Sequence, residues 1–526
     1  MFEFVNQSCN TSDILILSSP LTLTNGPMAA GAILKSIAEQ AGFSCSVVDL
    51  NILTMRWVFT HSDRNDLVEF FDSGAIKTKI EQTILHYTNS VVALVKTYNP
   101  KILGISVFTY NCRAFTALLC KEIKIYCPDI QIIIGGAGIT DVSSAESEFA
   151  KNLQKTQLID HYIKGDAEQS FYEFLKGNHA FPGINRSNWE QLANNDLATL
   201  PYPNYDDYKW SWYGQGLFAT DEEFNNSNNV YSVGIPITGS KGCVRNCTFC
   251  DYIISHKKFT WRTAENIFDE IIHQQKKYKQ NSFAFTDSLI NGNMKEYRRL
   301  IGMLADHNDS QPDDQRISWY SQFIMRPKGQ FKEDLWELTA RSGAQMLAIG
   351  IESFDDQVRS EMGKSFTNED IDFGLSMMKK YGIKTYFMFM IGYVTETQEV
   401  YDQVKQWLQT RVQYKDIMIL GIVGTVAIVK NTYLDKNQDK FGVIWLNDAG
   451  SSNLKNSLFN WATSDNKNTP ATRDKWLKMT QRYATELGFE IVDEAYGHEI
   501  LHQLAGGFLA DEIKSLACEV VTDQID

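Results

Sequence analysis

The sequence has no paired cysteine pattern of the kind that staples a secreted fold. Its nine cysteines are an odd number, and six of them are scattered. That excludes a disulfide framework and points to a reducing compartment. Positive charge is not in excess either: the formal net charge is −14. A broad grip on nucleic acid or anionic membrane runs on clustered Lys and Arg, so neither is expected as a partner. Long apolar runs are also missing. The longest, residues 386–394 and 417–429, are too short to cross a bilayer and read as buried strands. The opening Met-Phe-Glu-Phe-Val-Asn lacks the basic region and apolar core of a secretory leader. A cytoplasmic protein is the expectation. Hydrophobic residues at 43 % and charged residues at 22 % of 526 are ordinary for a globular chain, and the length implies two or three domains.

What is present is strand–helix alternation. Residues 1–180 place strands at 13–18 (DILILS), 44–50, 101–108 (KILGISVF), 130–134 and 161–164 between helices at 27–41, 82–98, 113–126 and 168–175. Such alternation predicts a doubly wound parallel sheet, with ligands at its carboxyl edge. Residues 181–230, with Leu-Pro201-Tyr-Pro203 and an Asn-rich stretch at 225–229, read as a linker. Residues 231–430 restart the alternation, with strands at 233–238, 282–286, 317–320, 345–351, 384–391 and 417–429. They predict a partial (β/α)6 barrel with its chemistry at the C-terminal strand ends. Residues 431–526 read as a small, mostly helical cap, with helices at 473–487, 498–504 and 511–521.

One segment carries chemistry outright. Cys243, Cys247 and Cys250 follow the first barrel strand at spacings of four and three. Three thiolates hold three corners of a 4Fe–4S cubane and leave the fourth iron open, which makes a redox enzyme the expectation. A structural zinc site is the bland alternative, but it wants a fourth ligand, and only His256 lies near. Cys112 and Cys120 stand about 12 Å apart on a helix and cannot share a cubane; small apolar residues on a buried face is the simpler account.

The C-x-x-x-C-x-x-C run, with Phe249 before its last cysteine, resembles the radical S-adenosylmethionine (SAM) enzymes, and further segments follow in the family's order. Phe285-Thr-Asp287-Ser288 stands at the second strand end. Gly350-Ile351-Glu352-Ser353 is similar to the family's GIES segment, with Arg359, Met362 and Lys364 beyond it. Gly392-Tyr-Val-Thr395-Glu396-Thr397 is similar to G-x-P-x-E-T, with Val394 in the proline position. The resemblance implies a cluster on Cys243, Cys247 and Cys250 whose open iron binds SAM and cleaves it to a 5′-deoxyadenosyl radical. It also implies SAM contacts from Phe249, Asp287, Ser288, Arg326, Glu352 and Gly392, and an electron donor such as flavodoxin or ferredoxin.

Residues 1–180 resemble the cobalamin-binding domain that precedes the barrel in many of these enzymes. Ser106-Val-Phe108 stands at its Ser-x-Leu position, and Gly135-Gly136 follows after a gap of 26 residues. The resemblance implies cobalamin contacts from Ser106, Phe108, Thr109, Tyr110, Gly135 and Gly136. The family's Asp-x-His-x-x-Gly segment is missing; His61 follows the second strand rather than the first. The expected function is methylation of an unactivated carbon, of a small molecule or peptide the sequence does not name. The alternatives are a non-methylating radical rearrangement, cyclisation or oxidation, a methylthiotransferase, and a structural metal module. A methylthiotransferase would need a second three-cysteine cluster near its N-terminus.

Overall fold

The computed structural model describes residues 11–22, 26–59, 61–140, 147–213, 234–422, 424–446 and 458–492. Its described residues fall into two compact units, one ending at Tyr213 and one starting at Gly234.

The first unit is built on five parallel strands, β1 (Ile14–Ser18), β2 (Cys45–Val48), β3 (Ile102–Ser106), β4 (Gln131–Gly135) and β5 (His161–Ile163), in the order β2-β1-β3-β4-β5. β1 is buried at every position, as a central strand covered on both faces by helices must be. The helix Arg113–Tyr126 turns Phe115, Leu119, Cys120 and Ile123 to the sheet, one amphipathic stripe. Cys112 and Cys120 are thus core residues, and burial pushes the Cys120 thiol up to about 12.

The residues expected to form a linker behave differently where they are described. Residues 181–213 pack onto the first unit. Tyr208 OH donates to the Met28 carbonyl at 2.9 Å, Tyr213 OH donates to Asp49 Oδ2 at 2.7 Å, and Asp207 pairs with Lys35 at 2.6 Å. Tyr205, Tyr208 and Tyr213 are buried. Aromatic burial outweighs the loop-like composition that surrounds it. The Asn-rich stretch lies outside the described residues.

The second unit holds seven parallel strands in the order β16-β13-β12-β11-β10-β9-β6. These are β6 (Ile235–Ile237), β9 (Ser282–Phe285), β10 (Ser318–Gln322), β11 (Ala344–Glu352), β12 (Lys384–Phe389), β13 (Met418–Gly421) and β16 (Glu490–Val492). The order is linear, so the barrel is partial. Two small antiparallel pairs accompany it: β7 (Ser240–Lys241) with β8 (Thr260–Trp261), and β14 (Val443–Trp445) with β15 (Trp461–Thr463). The helix Asn368–Tyr381 shows why the alternation is readable. Thr367 and Asp370 form a capping box at its start, and Gly382 at φ 72° ends it.

The sheet extends beyond residue 430. β16, from the segment expected to be a helical cap, pairs with β13 as a seventh strand. The helix Pro470–Glu486 bears out the expected 473–487, whereas the helices expected at 498–504 and 511–521 lie outside the described residues. Among the described residues no helix is long and apolar enough to cross a membrane.

Candidate functional site

Because all seven strands run parallel, the segments after β6, β9, β10, β11 and β12 gather at one edge of the second sheet. The cysteine loop lies there, between β7 and β8, whose pairing (Lys241 with Thr260, Ser240 with Trp261) closes its base. Gly242 starts the loop at φ +83°, and a Cβ there would lie 2.0 Å from the Lys258 carbonyl oxygen, so only glycine fits. Ser288 donates to the Gly242 carbonyl, and Gly242 N–H donates to Tyr252 OH at 3.2 Å.

Further along, Cys250 N–H donates to the Cys247 carbonyl at 3.1 Å, and Arg245 N–H donates to Cys243 Sγ at 3.4 Å. Thr248, between the last two cysteines, is tied on three sides. Its N–H donates to the Met362 carbonyl at 3.1 Å, its carbonyl accepts from Leu434 N–H at 3.0 Å, and its hydroxyl meets Tyr393 OH at 2.7 Å. Phe249 packs on the apolar cluster of Val358, Met362, Tyr393, Val394, Val426, Ile428, Leu434 and Trp461. Lys364 stands 6.0 Å over its ring.

The three thiols are free and half-buried, and burial raises the pKa of each. Among the described residues, no three His, Cys, Asp or Glu side chains converge as a single metal ion requires. His256 is engaged elsewhere: it stacks on Tyr252 at 4.6 Å and its Nδ1 meets Ser255 Oγ at 3.1 Å. A soft three-thiolate set on a pinned loop, without a fourth ligand, suits a cubane rather than one zinc ion.

Asp287 is buried, 3 % exposed. Its Oδ2 accepts from Gly239 N–H at 2.8 Å and its Oδ1 accepts from the Ser240 hydroxyl. Burial pushes its carboxyl up to about 6, against the pull of those bonds. The sequence expectation made Asp287 and Ser288 ligand contacts. The hydrogen bonds instead direct both at the base of the cysteine loop, so in this structure each fastens β9 to that loop. Arg326 follows β10; its guanidinium donates to the Asn291 and Gly292 carbonyls at 2.6 and 3.3 Å, and its buried Nε has no partner among the described residues. Burial, then the neighbouring Arg245, lowers its pKa.

Glu352 ends β11 at φ +69°, a left-handed conformation costly for a residue with a side chain. The register between β11 and β12 shifts between Gly350 and Glu352. Lys364 Nζ donates to Glu352 Oε1 and to the Gly350 carbonyl, both at 2.8 Å. A Cβ on Gly350 would sit 2.2 Å from Glu352 Oε1. Gly392, at φ +83° after β12, donates from its N–H to Glu396 Oε2 and Tyr401 OH, both at 2.8 Å. Glu396 is the hub here. Buried at 3 % exposure, it also accepts from Tyr393 N–H at 3.0 Å and from the Ser353 and Tyr401 hydroxyls. Its place in the G-x-P-x-E-T-like segment is visible in the sequence; its pairing with Ser353, 43 positions away, is not.

In the first unit, Ser106 ends β3 in register with Ser18 of β1 and Gly135 of β4. The order β2-β1-β3-β4-β5 reverses between β1 and β3, which is where such sheets bind ligands. Ser18 Oγ is buried there without a partner among the described residues. Phe108 and Tyr110, 47 % and 57 % exposed, form an aromatic edge beyond β3, and Arg113 lies 4.5 Å over the Tyr110 ring. Thr109 Oγ1 meets Cys112 Sγ at 3.3 Å. The glycines serve a closer neighbour than a nucleotide tail: a Cβ on Gly136, at φ +102°, would lie 2.5 Å from the Val107 carbonyl oxygen. Gly135 is packed near the Ile163 carbonyl, 3.2 Å from where its Cβ would be. His61 lies after β2, with Nδ1 accepting from Asp63 N–H at 3.1 Å, a turn contact.

Comparison with known proteins agrees with this geometry. Residues 237–407 match the family model described as the radical SAM superfamily. An uncharacterised methyltransferase of Pyrococcus horikoshii is 23 % identical over 384 residues, 68 % of this chain and 75 % of the relative. Among solved structures, the radical SAM methyltransferase TsrM from Kitasatospora setae, with tryptophan and a SAM analogue bound, aligns over 97 % of this chain and all of its own, at TM-score 0.63 and 15 % identity. The cobalamin-dependent radical SAM enzyme OxsB, with aqua-cobalamin bound, aligns over 94 % of this chain and 72 % of its own, at TM-score 0.60 and 14 % identity. Both likenesses establish a shared fold. With the cysteine loop, the strand-end segments and the matched model falling on the same residues, residues 237–407 form a radical SAM domain.

Proposed function

We propose that this chain is a cobalamin-dependent radical SAM enzyme that methylates an unactivated carbon of a small molecule or peptide. Cys243, Cys247 and Cys250 hold the 4Fe–4S cluster, and Phe249, Arg326, Glu352 and Gly392 line the SAM site. Asp287 and Ser288 act one step back, by fixing the loop that carries the cysteines. When bound, the cluster supplies the electron that opens the sulfonium, and cobalamin supplies the methyl carrier. The protein's own part is placement. Glu352, pre-set at φ +69° and fixed by Lys364, presents a carboxylate at the strand edge without reorganising when SAM arrives.

The observation that carries the cobalamin part is the switch point of the first sheet. A buried Ser18 hydroxyl, unpartnered among the described residues, sits beside Ser106 there, and a buried donor without a partner is costly unless a ligand meets it. Phe108, Thr109 and Tyr110 would border the same ligand. Gly135 and Gly136 shape its floor through the backbone. A low-potential cytoplasmic donor of the flavodoxin or ferredoxin class would supply the electron.

The test is anaerobic reconstitution with iron, sulfide and hydroxocobalamin, followed by reductant and methyl-labelled SAM. Label on cobalamin together with S-adenosylhomocysteine is the expected result. Formation of 5′-deoxyadenosine with no S-adenosylhomocysteine would instead favour rearrangement, cyclisation or oxidation. A colourless protein holding one zinc ion would end the enzyme reading of the cysteines.

A further inference from the structure

The segment after the barrel, residues 459–476, carries no recognisable motif, yet it holds a buried, fully hydrogen-bonded amide near the cysteine loop. Asn468 is 1 % exposed and its amide nitrogen donates to the Gly392 and Tyr393 carbonyls at 3.2 and 2.9 Å. Its oxygen accepts from Arg473 at 2.9 Å. A flipped amide would set its oxygen against two carbonyls and its NH2 against a guanidinium, so the chemistry fixes the orientation. Arg473, also 1 % exposed, donates to the Phe459 and Trp461 carbonyls at 2.7 and 2.9 Å and lies 3.7 Å over the Trp461 ring. Its methylenes fill the space at Gly392, where a Cβ would come within 2.3 Å of them. Burial drops its pKa to about 10, the cost of a cation whose contacts are carbonyls, an amide and an aromatic face. Trp476 stacks on Tyr401 at 4.3 Å, and Tyr401 in turn donates to Glu396.

The chain of contacts ends at the cysteines. Tyr393 is fully buried, and its hydroxyl meets Thr248 Oγ1 at 2.7 Å. We propose that Tyr393 is a positioning residue for the cysteine loop and that Asn468 and Arg473 hold it in place. The segment after the barrel thus belongs to the SAM-cleaving site without touching the reacting atoms. This rests on the reading that Cys243, Cys247 and Cys250 hold the cluster. The mechanics are local. Gly392, at φ +83°, and Tyr393 lead into a turn whose N–H groups donate to Glu396 and whose carbonyls accept from Asn468, the Tyr393 carbonyl also from Glu396 N–H. Released at the carbonyls, the turn can rotate and withdraw the Tyr393 hydroxyl from Thr248.

The experiment uses the full chain in two states. In the metal-free chain, hydrogen exchange is followed on peptides spanning residues 246–252. Tyr393→Phe removes one hydrogen bond and keeps the ring in its cluster, so exchange there should rise about fivefold. Asn468→Ala should raise it at least as much, and Lys478→Ala, exposed on the helix that carries Arg473, should leave it unchanged. In the reconstituted chain, Tyr393→Phe should raise KM for SAM about fivefold while kcat for 5′-deoxyadenosine formation stays within about twofold, with iron content unchanged. Unchanged exchange at 246–252 in Tyr393→Phe overturns the proposal, and if Asn468→Ala does not fold, that variant still decides. If wild-type chain takes up no iron, the cluster reading falls, and the exchange result still judges the positioning role.

Discussion

Asp287 carries its carboxyl inside the fold, and its titration measures what that costs. Its folded pKa, about 6, lies above the ordinary 3.8. Between those values the folded chain keeps a proton that the unfolded chain has lost. Stability from this group is therefore fully present below about pH 4 and is lost as pH rises through 6. Asp287→Asn removes the titration yet keeps an acceptor for Gly239 N–H and a donor for Ser240. Between pH 4 and pH 7 the wild-type chain should lose roughly 3 kcal/mol more unfolding free energy than the variant. Urea titrations of both metal-free chains across that range check this, and parallel profiles would sink it. Asp287 was legible in sequence as an acid at a strand end. Its partners were not, because Gly239 and Ser240 reach it from 48 and 47 positions away. The cysteines were legible for the opposite reason: all three lie within one loop, so spacing alone displays them.

At the scale of elements, Glu396 joins the ends of β11 and β12. Four donor groups converge on it, from Gly392, Tyr393, Ser353 and Tyr401, and it is buried. Glu396→Ala would leave buried N–H groups without an acceptor, so we expect a loss of roughly 3 kcal/mol by urea unfolding, together with a raised KM for SAM. Glu352 gives the contrasting case. Its φ of +69° costs about 1 kcal/mol that glycine would not incur. Glu352→Gly should therefore stay within about 1 kcal/mol of wild-type stability while binding SAM roughly tenfold more weakly by calorimetry. A large loss of stability would show that Glu352 serves the fold and not the ligand. Elements with a full period were readable: the helices Arg113–Tyr126 and Asn368–Tyr381 fall where apolar spacing puts them. β16, three residues long, and β7 and β8, two residues each, are too short to show alternation. The helices Leu50–Phe59 and Arg64–Ser73 escaped because the first is apolar nearly all round and the second turns only Leu67, Phe70 and Phe71 to the core. Residues 181–213 misled by composition, since Pro and Asn mark a turn equally well in a linker and in a strap packed on a domain.

For the whole molecule, two units with separate sheets imply two binding capacities that can be lost one at a time. Each unit has its own core: the first is built on Leu15, Leu17, Leu103, Ile105 and Ile134, and the second buries Phe283, Trp319, Leu347, Ile349, Phe387 and Leu420 on its strands, with a further cluster around Tyr393 and Trp461 beside its cysteine loop. Gly136→Val puts side-chain atoms where the Val107 carbonyl lies, at a φ of +102° that valine does not tolerate. The displaced loop is the one that carries Phe108, Thr109 and Tyr110. On the proposed function, this variant should retain about four irons per chain after reconstitution. It should bind hydroxocobalamin at least roughly tenfold more weakly, read from the absorption of the desalted protein. Cys243→Ala should do the reverse, losing the cluster spectrum and keeping cobalamin. Full cobalamin binding by Gly136→Val would remove the switch point of the first sheet as the cobalamin site. Loss of both cofactors from either variant, at near-native melting temperature, would contradict the separation of the two capacities. The residues that define them, a serine pair on the edge of one sheet and a cysteine loop on the edge of the other, would then be coupled rather than independent.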